Sequence, residues 1–164
     1  MTPSEALLPL TSVPRGGAVL NPFVVVDDAA GLITFVCEVF DVHETPEART
    51  PMPDGKLIHA EVDLGGVNLM MADRLDGWPA RPGLLQVWVR DVADVLAAAK
   101  ERGATIITDP TAFYGETTLG RIMDRWGNIW WLWAPAPGQL DPGAESSAIY
   151  STLDTTMRRL AQQH

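Results

Sequence analysis

Three polar side chains that could do chemistry alternate along a run with the character of a β-strand. In IHAEVDLGGVNLMMAD, residues 58–73, His59, Glu61 and Asp63 occupy every second position. Because successive side chains of a strand point to opposite faces, we expect these three to share one face. A histidine beside a carboxylate can contribute to a metal site, transfer protons, bind a polar group of a ligand or line a wet surface. The last interpretation is favoured, and His59 with Glu61 is the catalytic pair if the chain is an enzyme.

An internal repeat defines the elements that would position these side chains. VVVDDAAGL, which starts at Val24, resembles VWVRDVADVL, which starts at Val87, and the offset is 63 residues. GGVNLMM from Gly65 resembles GNIWWLW from Gly127, at an offset of 62 residues. Since the two matches occur in the same order, they predict two copies of one structural unit.

Each copy predicts the same series of elements. A β-branched run ends in an aspartate, Asp28 or Asp91, that can cap the helix after it. An irregular stretch and two strands joined by a tight turn follow, with Gly65-Gly66 or Trp126-Gly127 at the turn. The sequence thus predicts an α+β protein of two βαβββ modules, residues 20–73 and 84–135.

The pattern resembles the vicinal oxygen chelate superfamily, which includes glyoxalase I, extradiol dioxygenases and the bleomycin resistance proteins. Four segments across residues 20–135 carry the resemblance: LNPFVVVDDAAGLITFVCEVF, PDGKLIHAEVDLGGVNLMMAD, VWVRDVADVLAAAKERGATII and FYGETTLGRIMDRWGNIWWLW. The last segment looks most like the PhnB-like glyoxalase branch. The resemblance implies a curved mixed sheet around a cleft, of the glyoxalase/bleomycin resistance type.

Family enzymes hold a divalent metal at one position on the first strand and one on the last strand of each module. Through the quoted segments, these positions fall on Asn21, Leu69, Leu84 and Trp131. Leucine and tryptophan offer no lone pair and a neutral asparagine is a poor ligand, because borderline and hard divalent ions need imidazole nitrogen or carboxylate oxygen. We therefore predict that the family metal site is absent, with no metal and no cofactor.

Strand alternation and the resemblance together predict a cavity lined by aromatic and aliphatic groups in place of the metal. By the repeat, Arg121 in the second module corresponds to His59 in the first, and Met123 corresponds to Glu61. Tryptophan presents a rigid planar surface for stacking together with one N–H donor. The predicted ligand-binding residues are Phe23, His59, Glu61, Met71, Gln86, Trp88, Tyr114, Arg121, Met123, Trp131 and Trp133.

Composition excludes several classes of partner. With 12 basic and 21 acidic residues the net charge is −9, which repels nucleic acids and anionic lipid surfaces and favours cationic ligands. No apolar run approaches the roughly 20 residues of a membrane helix, so we expect neither a membrane nor a nucleic-acid partner. The single Cys37 cannot form an internal disulfide, and a cytoplasmic location is expected.

The ends of the chain are predicted to lie outside the repeat. Residues 1–19 are rich in proline and glycine, which is typical of a flexible arm. Residues 136–164 predict a linker and then an amphipathic helix with Ile149, Leu153, Met157 and Leu160 on its apolar face.

The function predicted first is a metal-free binding protein that sequesters an aromatic natural product or antibiotic, as the bleomycin resistance proteins do. One alternative is a metal-independent isomerase, cyclase or lyase of secondary metabolism that uses His59 and Glu61. A second is a metal-dependent lyase or dioxygenase. The partner is predicted to be a small aromatic molecule, and a homodimer is expected because two-fold pairing is the commonest assembly of such folds.

Overall fold

The structure, a computed structural model, describes residues 6–13, 18–113, 116–136 and 146–163. The chain divides into two compact units, Met1–Gly83 and Leu84–His164. Tyr114, one of the predicted ligand contacts, lies outside the described residues, as do most of the predicted linker and parts of the predicted arm. In the described part of the arm, Leu10–Ser12 forms a short 3-10 turn.

The first unit contains one helix and one four-stranded sheet in the order β1-β4-β3-β2. β1 and β4 are parallel, while the other neighbouring strands are antiparallel. Its elements are β1 (Phe23–Val26), α1 (Ala29–Phe40), a 3-10 turn (Pro46–Ala48), β2 (Thr50–Pro51), β3 (Leu57–Asp63) and β4 (Asn68–Asp73).

The second unit repeats this topology, with strand order β5-β8-β7-β6 and a parallel β5–β8 pair. Its elements are β5 (Leu84–Trp88), α2 (Val92–Glu101), β6 (Thr105–Phe113), β7 (Thr117–Met123), β8 (Ile129–Pro135) and α3 (Ser146–Ala161). The predicted fold class is confirmed: two mixed sheets with helices, built from two repeated βαβββ modules.

The repeated aspartates cap the repeated helices, as predicted. The Asp28 side chain accepts a hydrogen bond from the backbone N–H of Gly31, and the Asp91 side chain accepts one from Asp94. Each carboxylate thereby satisfies an N–H that would otherwise have no partner in the first turn.

The core lies between each sheet and its helix. The face of α1 that carries Leu32, Phe35, Val36 and Val39 is buried. Trp130 and Leu132 on β8 are completely buried, as expected for residues facing a helix. In the second unit the approach is close: a Cβ at Gly120 would lie 2.6 Å from Cγ1 of Val92. Gly120 therefore lets α2 rest directly on β7.

The register of the first hairpin corrects one prediction. Met71 pairs with Ala60 and Leu69 pairs with Val62, and all four side chains are completely buried. Residues directly opposite each other on neighbouring strands share a face, so Leu69 and Met71 lie on the helix side of the sheet. The placement of Met71 on the same face as Phe23 was wrong.

The turn of this hairpin explains the error. The predicted tight turn at Gly65-Gly66 is present, and its flanking residues are joined by the hydrogen bond from Leu64 N–H to the Val67 carbonyl, at 2.9 Å. A two-residue loop that joins Leu64 to Val67 puts Leu69 on the face of Val62 by alternation alone. The residues of β4 on the face of Phe23 are instead Asn68, Met70 and Ala72.

The second hairpin has a longer loop, so the correspondence between modules shifts. The Asp124 N–H donates to the carbonyl of Asn128 at 3.0 Å, which leaves residues 125–127 in the loop. In the first sheet Glu61 pairs with Met70, and in the second Arg121 pairs with Trp131. The counterpart of Arg121 is therefore Glu61, and the predicted match to His59 was wrong.

None of the helices in the described ranges has the length and apolar character needed to span a lipid bilayer.

Candidate functional site

The first unit contains a hydrogen-bonded group of three polar side chains, His59, Glu61 and Asn68, which we call the polar triad. His59 Nε2 lies 2.9 Å from Oε1 of Glu61, and Asn68 Nδ2 donates to Oε2 at 3.2 Å. Glu61 is 7% exposed, whereas the His59 side chain is about one-third exposed. Both carboxylate oxygens are thus satisfied, and the imidazole is the member that solvent reaches.

The arrangement orients the His59 ring. With Glu61 ionised, the hydrogen bond requires the proton on Nε2, so Nδ1 of the neutral ring keeps the lone pair that a general base uses. The Phe23 ring, 47% exposed, contacts the imidazole with ring centroids 5.8 Å apart. The triad can therefore accept a proton or a hydrogen bond at Nδ1 of a ring that is about one-third exposed.

Asp63 lies at the same sheet face but does not join the triad. It is exposed, and its Oδ1 accepts a hydrogen bond from the backbone N–H of Gly66 in the turn. Asn21, on the same face, accepts from the N–H of Asn68 and so fixes the start of β4. Sequence reasoning missed Asn68, although hairpin pairing from the Gly65-Gly66 turn would have placed it beside Glu61.

In the second unit, one sheet face carries the predicted aromatic residues, and we call it the tryptophan face. Cross-strand pairing puts Gln86 beside Trp131 and Trp88 beside Trp133. Gly120 rests against α2 and is followed on β7 by Arg121, so the side chain of Arg121 lies on the face opposite to α2. The register places this part of the predicted set together; the face carries Gln86, Trp88, Arg121, Met123, Trp131 and Trp133.

The aromatic rings of this face contact one another in a row. The Trp133 ring lies 5.8 Å from that of Trp88 and 5.4 Å from that of Phe113, with interplanar angles of 41° and 56°. Trp88 is 60% exposed, and Leu84 on the same edge strand is 58% exposed. The β5 edge of the tryptophan face is therefore apolar and accessible to solvent.

Two indole N–H groups of this face have no acceptor among the described residues. They are Nε1 of Trp131 and Nε1 of Trp133, and both atoms are buried. An unpartnered buried N–H costs about 1 to 3 kcal/mol, so such groups are rare in native structures. For comparison, Nε1 of Trp130, on the other face, donates to Asp124 at 2.9 Å.

Arg121 places a buried cation among these rings. It is 1% exposed, and its guanidinium carbon lies 3.9 Å from the centre of the Trp131 ring. Nη1 donates to the Ile149 carbonyl at 2.7 Å and to Oγ1 of Thr108 at 3.2 Å. Burial lowers the pKa of Arg121 to about 10, so the side chain is still charged at neutral pH.

The C-terminal helix covers part of the tryptophan face. α3 packs on β6, with Ile149 1% exposed and the hydroxyl groups of Thr152 and Thr108 2.7 Å apart. Of the predicted apolar positions, Ile149 is buried and Met157 is 47% exposed. The helix was predicted from its periodicity, but its contact with Arg121 was not. It leaves the β5 edge as the exposed portion of this face.

The donor atoms do not fit the divalent metal that the family implies. Of the four positions, Leu69 faces the helix side, and the amide oxygen and nitrogen of the Asn21 side chain are both engaged in hydrogen bonds. Met70 and Asn68, the neighbours of Leu69, offer only a thioether and an amide. Within the described ranges, no group of three or more His, Cys, Asp or Glu side chains could hold a metal ion.

A cavity of about 340 Å³ lies elsewhere in the second unit. It is lined by Asp91 and Val92 at the start of α2 and by Thr118 and Ala134 of the sheet. These two strand residues pair with each other and alternate with the tryptophan-face positions. The cavity is thus on the helix side, and none of the predicted ligand-binding residues lines it.

The chain belongs to the Glyoxalase/Bleomycin resistance protein/Dioxygenase superfamily, whose family model matches residues 18–132. Among solved structures, it is similar to a fosfomycin resistance protein, FosX, from Listeria monocytogenes, with a TM-score of 0.59 and 12% identity over 74% of this chain and 96% of that chain. It is also similar to TioX from Micromonospora sp. ML1, with a TM-score of 0.57 and 20% identity over 70% of this chain and 94% of that chain.

A relative in sequence comes from mycobacteria. An uncharacterized protein of Mycobacterium bovis is 32% identical over 127 residues, which are 71% of this chain and 82% of the relative. The two solved structures are too distant in sequence to carry more than the fold.

Proposed function

We propose that the protein binds a planar aromatic small molecule on its tryptophan face without a metal ion. The observation that carries this proposal is the pair of unpartnered indole N–H groups on Trp131 and Trp133. An aromatic ligand could stack on these rings and, with an acceptor atom at its edge, take the hydrogen bond of an indole N–H. The exposed edge at Trp88 and Leu84 supplies a route of approach.

Sequestration of a natural product or antibiotic is the biological form of this proposal. Support comes from membership of a superfamily named in part for bleomycin resistance, and from the fold likeness to a fosfomycin resistance protein. The relation to the PhnB-like branch and a two-fold dimer are further parts of the proposal. Light scattering coupled to size-exclusion chromatography measures the dimer.

Tryptophan fluorescence titration against a panel of planar natural products tests the binding. The wild type is expected to respond with saturation, and Trp131→Ala is expected to weaken the apparent affinity by about ten-fold or more, since base-like stacking contributes about 1 to 3 kcal/mol. Trp78→Phe is the matched control, because Trp78 is 44% exposed in the first unit. Equal loss in both variants, or no response to any compound, would contradict the proposal.

A metal-independent enzyme is the second candidate, and the polar triad favours it. The 2.9 Å contact between Nε2 of His59 and Glu61 leaves Nδ1 as the base, on a side chain that is about one-third exposed. Mass spectrometry of a ligand found in the panel, before and after incubation, measures turnover. His59→Ala is expected to abolish turnover and keep binding if this candidate is right, whereas an unmodified ligand after long incubation would exclude it.

A further inference from the structure

We propose that Arg121 forms a binding site for an anionic group, such as a carboxylate, on the aromatic ligand of the tryptophan face. This inference rests on the proposed function and specifies the chemical class of its ligand. It starts from the buried position of Arg121 and from the atoms of its guanidinium group that have no partner.

The charge of Arg121 is not balanced by any neighbouring acid. Within the described ranges, no Asp or Glu carboxylate lies within ion-pair distance of Arg121, and its acceptors are one carbonyl and one hydroxyl. Moving a cation out of water costs several kcal/mol unless a counter-ion and full hydrogen bonding compensate. To the described part of the chain Arg121 donates two hydrogen bonds, and it contacts one aromatic face, so an anion is the missing partner.

The unused atoms form one edge of the guanidinium group. Both acceptors lie on Nη1, while Nε is buried with no hydrogen-bond partner and no described residue accepts from Nη2. Nε and Nη2 point the same way and match the two oxygens of a carboxylate. An anion at this edge would convert two idle donors into charge-assisted hydrogen bonds.

Arg74 in the first unit displays the geometry that Arg121 lacks. Its Nε and Nη2 donate to the two oxygens of Asp27, each at 2.9 Å. This pair is largely exposed and gains little from the contact, because water screens surface ion pairs. Arg121 presents the same two atoms on a side chain that is 1% exposed, where one matched anion would contribute much more than it does at a surface.

The indole groups extend the site from a charge to a shaped ligand. Trp131 stacks on the guanidinium, and its own Nε1 is buried without an acceptor. A planar ring that carries a carboxylate could stack in the row of aromatic residues while its oxygens meet Arg121 and an indole N–H. A neutral ring of the same shape would leave the cation uncompensated.

Access requires movement of a covering element. Arg121 is 1% exposed, and α3 contacts it through the Ile149 carbonyl. A shift of α3 would move the Ile149 carbonyl away from Nη1 and open the neighbouring Nε–Nη2 edge. The hydrogen bond from Nη1 to Oγ1 of Thr108, on β6, would remain. The overall charge of −9 opposes an anion only at long range, where salt screens it.

Calorimetric titration with three probes tests this inference. The probes are 2-naphthoate, the neutral 2-naphthamide and the non-aromatic cyclohexanecarboxylate. The wild type is expected to bind the naphthoate about ten-fold more tightly than the amide, because hydrogen bonds to a charged group contribute about 1.5 to 3 kcal/mol. Arg121→Met is expected to remove this preference, and Arg74→Met, the matched control, is expected to keep it.

A second variant covers the case in which Arg121→Met does not fold. Arg121→Lys keeps a charge but loses the planar edge, so the preference is expected to fall without disappearing. A naphthoate-to-amide ratio near one in the wild type, or an unchanged ratio in both Arg121 variants, would overturn the anion site and leave the aromatic binding proposal standing. Cyclohexanecarboxylate that binds as tightly as naphthoate, in an Arg121-dependent way, would support the anion site and contradict the aromatic proposal. Failure of all three probes to bind would overturn both.

Discussion

Glu61 in the first unit and Arg121 in the second occupy matching positions. Glu61 pairs with Met70 on β4, and Arg121 pairs with Trp131 on β8, the last strand of each module. Both side chains are buried and both are ionisable. Glu61 has hydrogen-bond partners on both oxygens, whereas the Nε–Nη2 edge of Arg121 has none among the residues that the structure describes. One module therefore completes its polar network internally, and the other leaves donors that a ligand could satisfy.

The two modules share their backbone plan but differ in the side chains on the corresponding sheet faces. Each module has the same strand order and the same aspartate cap, so the backbone plan is shared. The side chains on the corresponding faces have diverged into a polar triad and a tryptophan face. Because buried polar groups are normally satisfied, the unsatisfied face is the stronger candidate for a binding site.

The turns of the two hairpins give the largest expected difference. Asp124 is buried and accepts hydrogen bonds from Trp126, from Asn128 through its backbone and side chain, and from Trp130. Asp124→Ala would remove these four hydrogen bonds to a buried carboxylate and is expected to lower the free energy of unfolding by about 3 kcal/mol. Urea denaturation measures the change in the free energy of unfolding.

Asp63 supplies the control at the equivalent turn. It is exposed and accepts one hydrogen bond, from Gly66, so Asp63→Ala is expected to lower the free energy of unfolding by less than about 1 kcal/mol. If Asp124→Ala and Asp63→Ala lowered the free energy of unfolding by similar amounts, the two turns would not differ in stability as their hydrogen bonds indicate.

The matched charges give the next largest difference. Glu61→Ala removes the partner of Asn68 and His59 and is expected to cost about 2 kcal/mol of stability. Arg121→Met removes an unpaired buried cation, so it is expected to change stability by less than about 1 kcal/mol or to increase it. Chemical denaturation of the two variants compares them directly. A loss above about 2 kcal/mol for Arg121→Met would identify Arg121 as an anchor of α3 more than as a ligand site.

The spacing between helix and sheet gives the smallest difference. Gly120 and Ala60 hold matching positions on the helix side, and Ala60 has room for its methyl group while Gly120 has none. Gly120→Ala is expected to destabilise by about 1.5 kcal/mol through the clash with Val92. Ala60→Gly is expected to cost about 1 kcal/mol through backbone entropy. Thermal unfolding that ranked the two variants in the opposite order would contradict this account of helix packing.

Much of the fold was predictable because its signals are local. The capping aspartates and the glycine turn each depend on a few neighbouring residues, and the repeat is visible as short segments that match in order. The face assignment in the second sheet was also correct, since alternation from Trp131 to Trp133 carries no ambiguity. The two-residue strand β2 was indistinct in sequence because it is too short to have a periodicity.

The errors in assigning residues to sheet faces arose where a difference of one residue in loop length moves a side chain to the other face. A two-residue loop in one hairpin and a three-residue loop in the other shift the repeat, so Leu69 was aligned with Trp131 in place of Met70. The contact between Ile149 and Arg121 joins residues 28 positions apart and depends on tertiary packing. No local pattern predicts it.

The central claim is that Trp131 and Trp133 present free N–H donors to an aromatic ligand. The most direct test records the indole N–H signals in a ¹⁵N–¹H correlation spectrum, assigned through Trp→Phe variants, during titration with 2-naphthoate. A large downfield shift is predicted for at least one of the Trp131 and Trp133 signals, with little change for Trp130, which already donates to Asp124. Signals of Trp131 and Trp133 that stay in place at saturation, while the His59 ring signals move, would contradict it.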